Sequence, residues 1–292
     1  MVVKRKDMRR ATPDSFSFRK YAVRRFVQNR GAVLGLLLFV SLIVSAVLAP
    51  WIAPYDPYEV SSNRLARPSR EHPLGTDALG RDVLSRILYG GRISLQVGVI
   101  AVGIAAVTGT VLGLIAGYFE GWLDHVIMRL MEVMLAFPGI LLAMAIIAVL
   151  GSGLFNVMIA VGIASVPSYT RLVRGVTLSV KQNEYVQAAR ALGSGTGRIM
   201  LRHLVPNIAA PIVVLSTLGV ASAILTCAGL SFIGLGAPPP TAEWGAMLAA
   251  DRVYLRRAWW VVAFPGLAIT ISVLAINLLG DGLRDALDPR LK

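Results

Sequence analysis

Residues 184–193, Glu-Tyr-Val-Gln-Ala-Ala-Arg-Ala-Leu-Gly, form a polar segment between the most apolar parts of this chain. The run is rich in helix-forming residues and ends in glycine, which predicts a helix of about two to three turns that stops at Gly193. The polar region around it, residues 178–205, is much longer than a connection between two helices requires. We therefore expect it to fold as an element that another protein binds.

The composition is that of an integral membrane protein. The chain has 292 residues, of which 55% are hydrophobic and only 15% are charged, whereas soluble domains carry about 25% charged residues. The net charge of +13 could indicate nucleic-acid binding. The basic residues flank apolar runs, however, and do not alternate with aromatic residues, so we interpret them as loop charges that orient the chain in a membrane.

Six apolar runs predict an all-α, polytopic membrane protein with six transmembrane helices. The predicted spans are residues 31–55, 93–119, 123–150, 154–177, 206–235 and 258–280. The basic segment 1–30 places the N-terminus in the cytoplasm. With six spans the C-terminus and residues 178–205 are also cytoplasmic, and 20 of the 29 lysines and arginines then lie inside.

Prolines and small residues within the spans predict how these helices bend and pack. Pro138 and Pro167 are expected to kink the third and fourth spans. Gly109, Gly113 and Gly117 repeat every four residues in the second span, a spacing typical of close helix contact.

The polar region 56–92 is predicted to be external. Within it, residues 72–92 predict a short amphipathic helix on the outer surface, with Thr76 or Asp77 as the capping residue. The motif residues of this segment are Gly75, Thr76, Asp77, Gly80, Arg81 and Asp82. We interpret its Asp and Arg residues as surface ion pairs, because no nucleophile with an adjacent base accompanies them.

Residue types that carry chemistry are scarce, so we expect the chain not to be an enzyme. The single cysteine, Cys227, and three widely separated histidines predict neither a disulfide nor a metal site. The glycines of residues 193–197 lack the lysine of a phosphate-binding loop. Glu132, an acid near membrane depth, has Arg129 three residues earlier. A structural ion pair is favoured over a substrate or proton site.

Four stretches resemble the permease subunits of bacterial ABC importers. Residues 184–193, followed by Arg198-Ile199 and by residues 203–207 (His-Leu-Val-Pro-Asn), resemble the coupling loop, or EAA motif, of that family. Residues 74–86, residues 239–245 and the closing residues 277–289 are similar to the second permease of dipeptide, oligopeptide, glutathione and nickel importers. The resemblance covers nearly the whole chain after residue 30.

The resemblance implies a type I importer permease fold with a cytoplasmic coupling helix between the fourth and fifth spans. The residues it assigns to ATPase coupling are Glu184, Tyr185, Ala188, Ala189, Arg190, Gly193, Arg198 and Pro206. Their chemistry agrees, since alanines let a partner approach closely and an arginine can bond its carboxylates or carbonyls. The alternative is that Glu184 and Arg190 make only local contacts.

The implied complex lies in the bacterial inner membrane. It contains a second, different permease, two ABC ATPases that hold ATP and Mg²⁺, and an extracytoplasmic binding protein, while this chain binds lipid but no cofactor or nucleic acid. The implied cargo is a peptide. Nickel or another small solute is an alternative, and an ion-coupled secondary transporter is disfavoured because no paired broken helices are visible. Pore candidates are Ser165, Ser168, Ser216, Thr217 and Asn277, although small hydroxyls also join helices.

Overall fold

The computed structural model describes residues 23–287. Within that range the regular secondary structure is helical, residues 53–82 form a long loop, and a single isolated bridge between Thr76 and Asp82 is the only β pairing. The helices with defined bounds are α1 (Arg30–Ile52), α2 (Val83–Phe119), α3 (Gly121–Leu135), α4 (Gly139–Leu150), α5 (Leu154–Lys181), α6 (Glu184–Ala191), α7 (Thr196–Ile199), α8 (Val205–Phe232), α9 (Trp244–Asp251) and α10 (Trp260–Leu287). A π-helical turn, Met200–Leu204, joins α7 to α8, and a 3₁₀ turn, Arg252–Tyr254, follows α9.

Four helical stretches of the described chain are long and apolar enough to cross a membrane: α1, α2, the stretch from α7 through α8, and α10. The pair α3 and α4 adds a fifth if the two together form one span. The predicted fourth span corresponds to α5, which is 28 residues long but less apolar, because it carries Arg171, Arg174 and several hydroxyl residues. Composition therefore supports four or five of the six predicted spans.

The predicted third span is not one kinked helix. Helix α3 ends at Leu135, α4 begins at Gly139, and the two axes differ by 96°. Pro138 occupies the N-cap position of α4 in an extended conformation. A proline there cannot donate the hydrogen bond that would continue α3. By contrast, Pro167 lies within the uninterrupted α5.

The predicted external helix and the second span are one element in the structure. Helix α2 runs for 37 residues without a break and begins at Val83. Its N-cap is Asp82, whose carboxylate accepts a hydrogen bond from the Ser85 backbone N–H at 2.8 Å. Neither Thr76 nor Asp77 caps a helix, since the residues between His72 and Asp82 form a loop. The apolar spacing that predicted a surface helix simply continues into the span.

Helices α2 and α5 pack closely through the predicted small-residue face. A side chain added at Gly113 would lie 2.6 Å from the Thr170 carbonyl oxygen, and one added at Gly117 would lie 2.8 Å from Thr177 Cβ. Helix α10 packs against α1 and α8. The largest apolar cluster lies where α2, α4, α5 and α8 meet.

The termini differ from the predicted boundaries. Most of the basic segment 1–30 lies outside the described residues. Asn29 caps α1 by accepting a hydrogen bond from the Ala32 backbone N–H at 3.1 Å. Helix α10 continues to Leu287, so residues 281–287 extend the last span as helix, and residues 288–292 lie outside the description.

Candidate coupling site and translocation cleft

Helix α6 ends in a glycine-dependent turn. The Ser194 N–H donates to the Ala189 carbonyl and the Gly193 N–H donates to the Arg190 carbonyl, both at 3.0 Å. This pair of bonds defines a Schellman motif, which requires a left-handed residue after the helix. Gly193 has φ +77°, and a side chain there would meet nothing within 4 Å. Backbone conformation, not crowding, is therefore what requires glycine within this chain.

The two faces of α6 have different environments. Val186 is 1% exposed and packs on an apolar cluster from α5, α7, the π-helical turn and α8. The buried members of that cluster are Val173, Val180, Val186, Ile199, Leu204 and Ile208. The opposite face is exposed. The helix is thus fixed to its own subunit along one side and open along the other.

The predicted coupling residues lie together at this end of the molecule. Glu184, Tyr185, Ala188, Arg190, Gly193, Arg198 and Pro206 are exposed, and Ala189 is half-buried. Leu192 and Leu201, which were not among the predicted coupling residues, are 87% and 73% exposed. An apolar residue on an otherwise polar, surface-directed helix was the available signal. Two exposed leucines beside the motif add apolar area that a partner can bury.

Tyr118, near the end of α2, connects α6 to the turn between α2 and α3. The Arg190 guanidinium lies 5.6 Å and the Lys181 ammonium 5.5 Å from the centroid of its ring, both within cation–π range. Lys181 also donates to the Tyr118 carbonyl and to Glu120, each at 2.7 Å. Arg190 therefore has a local partner, as the alternative interpretation predicted, and its side chain is still exposed. We call these four residues the Tyr118 clamp.

An ion pair on the same side joins α3 to α5. Arg174 donates two hydrogen bonds to the Asp124 carboxylate, at 2.5 and 2.6 Å. This bidentate geometry is stronger and more directional than a single contact. The partners are 50 residues apart, so no local pattern predicts their pairing. Together with the clamp, the pair fixes α2, α3, α5 and α6 to one another.

Glu132 makes the ion pair that the sequence predicted. Its carboxylate lies 3.5 Å from Arg129, and the two side chains are 55% and 82% exposed. Such an exposed contact is weak. It supports a local structural role for Glu132.

A cleft of about 340 Å³ lies between α4, α5 and α8. The pore candidates Ser165 and Ser168 line it, and Tyr169, Ser222 and Thr226 add three further hydroxyl groups. Of the remaining candidates, Ser216, Thr217 and Asn277 are outside the lining, and the Thr217 hydroxyl donates to the carbonyl of Val213 on its own helix at 2.9 Å. Of the five candidates, the structure thus places Ser165 and Ser168 in the lining, while Ser216 lies beside the lining residue Tyr169.

The charged motif between His72 and Arg86 is buried, which corrects its interpretation as surface ion pairs. Arg81 bonds Asp77 at 2.6 Å, and His72 lies 3.0 Å from Asp82. Arg86 donates to the Pro57 carbonyl at 2.9 Å. The motif residues Thr76, Asp77, Arg81 and Asp82 are all less than 9% exposed, and Gly75 and Gly80, both at φ +78°, form the turns between them. The loop folds over its own charges, a tertiary outcome that residue types alone do not reveal.

Two further buried acids lie at the two ends of α9. Glu243 caps α9 by accepting hydrogen bonds from the Gly245 and Ala246 N–H groups at 2.9 and 2.8 Å, and burial raises its pKa. Burial, followed by the nearby Asp77 charge, raises the pKa of Asp251 to about 6. Within the described range, no group of three or more His, Cys, Asp or Glu side chains could hold a metal ion.

Comparison with known families agrees with the helical architecture. Residues 109–292 match the family described as binding-protein-dependent transport system inner membrane component. This chain belongs to that family of permeases. Residues 17–69 also match the N-terminal transmembrane domain of oligopeptide transport permease C.

Curated relatives of this permease are similar along most of its length. It is 50% identical to the di/tripeptide permease DppC of Pseudomonas aeruginosa over 274 residues, which cover 91% of this chain and 90% of the relative. It is 49% identical to the dipeptide permease DppC of Alkalihalophilus pseudofirmus, covering 93% and 90%. It is 53% identical to the glutathione permease GsiD of Escherichia coli, covering 92% and 89%.

Solved structures share the fold of this permease at low identity. The inward-facing MetNI methionine ABC transporter superposes with a TM-score of 0.55 at 16% identity, over 70% of this chain and 98% of that one. An amino acid ABC transporter solved with histidines gives a TM-score of 0.52 at 16% identity, covering 68% and 92%. The predicted importer permease fold is confirmed.

Proposed function

We propose that this permease subunit belongs to an ATP-driven importer of peptides, and that it forms the translocation path together with a second, homologous permease. The observation that carries the proposal is helix α6, which is fixed to its own subunit through Val186 and leaves the coupling motif exposed. Peptides are the proposed cargo because the named relatives, at about 50% identity, are dipeptide and glutathione permeases.

Two cytoplasmic ATPases are proposed to supply the energy, one of them by holding α6. Docking would use the exposed Glu184, Tyr185, Ala188 and Arg190, with Gly193 setting the end of the helix. ATP binds to the ATPases and stabilises one arrangement of the complex over another, so this chain need not perform chemistry. Because α6 is seated on α5 and α8 and tied to α2 by the Tyr118 clamp, its displacement would move those helices as one body.

The proposed orientation places both termini and α6 in the cytoplasm, and the buried loop His72–Asp82 outside, with α9. The distribution of basic residues supports it. An extracytoplasmic binding protein would deliver the cargo to the outer end. Ser165 and Ser168 would line the path, since both face the open cleft.

Purification followed by reconstitution tests the proposal. Pulled down through a tag, this chain should bring a second permease and two ATPase subunits. In proteoliposomes with the cognate binding protein, that complex should accumulate tri-alanine when ATP is supplied. Recovery of the chain alone, with ion-gradient-driven uptake, would contradict it. Uptake of Ni²⁺ in place of tri-alanine would retain the importer and replace the cargo.

A further inference from the structure

The cleft between α4, α5 and α8 has a lining that is unusual for a charged or metallic ligand. Its walls carry the hydroxyl groups of Ser165, Ser168, Tyr169, Ser222 and Thr226, while every other lining residue is aliphatic or glycine. Among the described residues, no carboxylate, amine, guanidinium, imidazole or thiol lines it. A volume of about 340 Å³ lies within the range of small-molecule sites.

Tyr169 on α5 provides a second, independent observation. The residue is 2% exposed, and its hydroxyl has no hydrogen-bond partner among the described residues. Ser216 lies near enough to interact with this hydroxyl, but the two make no hydrogen bond of acceptable geometry. A side chain added at Gly219 would lie 2.7 Å from the hydroxyl, and both residues line the cleft. Since burying a hydroxyl without a partner is costly, this group is suited to a ligand that enters beside Gly219.

We propose that the hydroxyl groups of Tyr169, Ser168 and Ser222 bind main-chain amide groups of a peptide in transit, an inference that rests on the proposed function. Hydroxyls donate and accept without charge, which matches a neutral N–H or C=O. A charged terminus or side chain would be desolvated there without compensation. A metal ion prefers carboxylate, imidazole or thiolate ligands, and the cleft has none.

Such a site would tolerate many cargo sequences. All peptides share the main chain, so a site specific for it does not discriminate between side chains. Selection would then belong to the binding protein, and the cleft would favour passage after delivery. Loss of the Tyr169 hydroxyl should accordingly lower the maximal import rate, measured with saturating loaded binding protein. The concentration of loaded binding protein that gives half the maximal rate should stay the same.

Tyr169→Phe in the assembled complex tests the site, with tri-alanine as the probe. We expect the maximal import rate to fall roughly threefold to tenfold, the range for losing one hydrogen bond. The thermal midpoint of the complex should stay unchanged or rise, because the variant removes an unpartnered buried hydroxyl. Tyr89→Phe, which alters a half-buried tyrosine on α2 outside the cleft, is the matched control and should change neither quantity.

Gly219→Ala provides a second route to the same result, since its methyl group would lie only 2.7 Å from the Tyr169 hydroxyl and would force that hydroxyl to move. It should slow import by a similar factor, and the double variant should be no slower than either single one. The binding-site proposal is refuted if Tyr169→Phe leaves the import rate unchanged. It is also refuted if this variant lowers the thermal midpoint, because the hydroxyl would then be structural. Neither result contradicts the proposal that the complex imports peptides. Failure of the unmodified complex to import tri-alanine refutes the proposed cargo, and the site with it.

Discussion

The proposed coupling motif and the loop of residues 72–86 hold their charges in opposite ways. In the motif, Glu184, Arg190 and Arg198 are exposed. In the loop, Asp77 and Arg81 are buried and bonded to each other at 2.6 Å. An exposed charge keeps its hydration until a partner arrives, whereas a buried charge must be compensated within the fold. The exposed motif is thus suited to reversible docking, and the buried loop to holding α2, α9 and α10 in place.

The largest effect should come from removing one buried partner. Asp77→Ala leaves Arg81 and Arg86 without their carboxylate, and breaking such a buried pair costs about 3–5 kcal/mol. We expect a clearly lower midpoint of thermal unfolding for the purified complex in detergent. Unfolding is measured by the fluorescence of a dye that reacts with the thiol of Cys227. Glu184→Ala, which removes an exposed acid, should leave the midpoint unchanged. Equal midpoints for the two variants would refute the contrast between the motif and the loop.

The next effect concerns pH and the buried acid Asp251, which faces Asp77, Arg81 and Arg86. Burial raises its pKa from 3.8 to about 6 in the folded protein. Because the pKa of Asp251 is higher in the folded than in the unfolded protein, Asp251 contributes fully to stability below about pH 4. That contribution is lost as the pH rises through 6. Across that pH range the contribution of Asp251 to the free energy of unfolding changes by at most on the order of 3 kcal/mol.

Asp251→Asn should therefore flatten the dependence of thermal midpoint on pH between 4 and 7. The pKa of Glu243 is also raised, so the comparison is between variant and parent at each pH, with Glu243 present in both. Parallel pH profiles for the two proteins would show that Asp251 does not titrate in this window.

A backbone change in the proposed coupling motif should alter coupling more than stability. Gly193→Val places a β-branched residue at φ +77°, which is strained whatever the surrounding space. We expect binding-protein-stimulated ATP hydrolysis to fall by roughly tenfold, equivalent to about 1.4 kcal/mol, because the end of α6 is displaced. The matched control is Gly195→Ala, since Gly195 has φ −65° and open surroundings. Full stimulation in Gly193→Val would exclude α6 as the coupling element.

The smallest effect should come from the Tyr118 clamp. Tyr118→Leu removes the ring that Arg190 and Lys181 approach but retains apolar volume. We expect basal ATP hydrolysis to persist. The number of ATP molecules hydrolysed per imported tri-alanine should rise about twofold to fivefold, which corresponds to the loss of a cation–π energy of about 0.5–1 kcal/mol. Tyr118→Phe keeps the ring and should behave as the parent. An unchanged ratio in Tyr118→Leu would show that the clamp transmits nothing.

Several features of the fold could be predicted from local pattern. The apolar runs predicted the long helices, and the alanine-rich run ending at Gly193 predicted α6. The repeat of Gly109, Gly113 and Gly117 predicted a close helix contact for α2, and the structure shows that its partner is α5. Each depends on neighbouring residues in the chain and on a fixed helical period. The break at Pro138 was foreseen only as a kink, because a proline fixes the loss of a hydrogen bond but not the angle at which the next helix leaves.

The candidate site was predictable only in part. The proposed coupling motif was predicted from its resemblance to a family, and the structure adds the packing of α6 around Val186 and the Tyr118 clamp. The pore candidates were chosen as polar residues within spans. The structure retains Ser165 and Ser168 and adds Tyr169, whose hydroxyl lies next to Gly219, 50 residues away. Nothing local distinguishes that tyrosine from any other.

The sequence by itself determined that this protein is a helical membrane protein with a polar helix that ends at Gly193, because hydropathy, helical period and a helix-ending glycine act within a few turns of chain. Its permease family was recognised from motifs. Only the tertiary structure decided which charges are buried. From the sequence, Asp77 and Arg81 were expected at the surface, but in the structure the loop buries them. Glu184 and Arg190 are exposed. Burial depends on which segments, far away in the sequence, pack over a residue. Unlike helical period, such packing cannot be predicted from a short stretch of sequence.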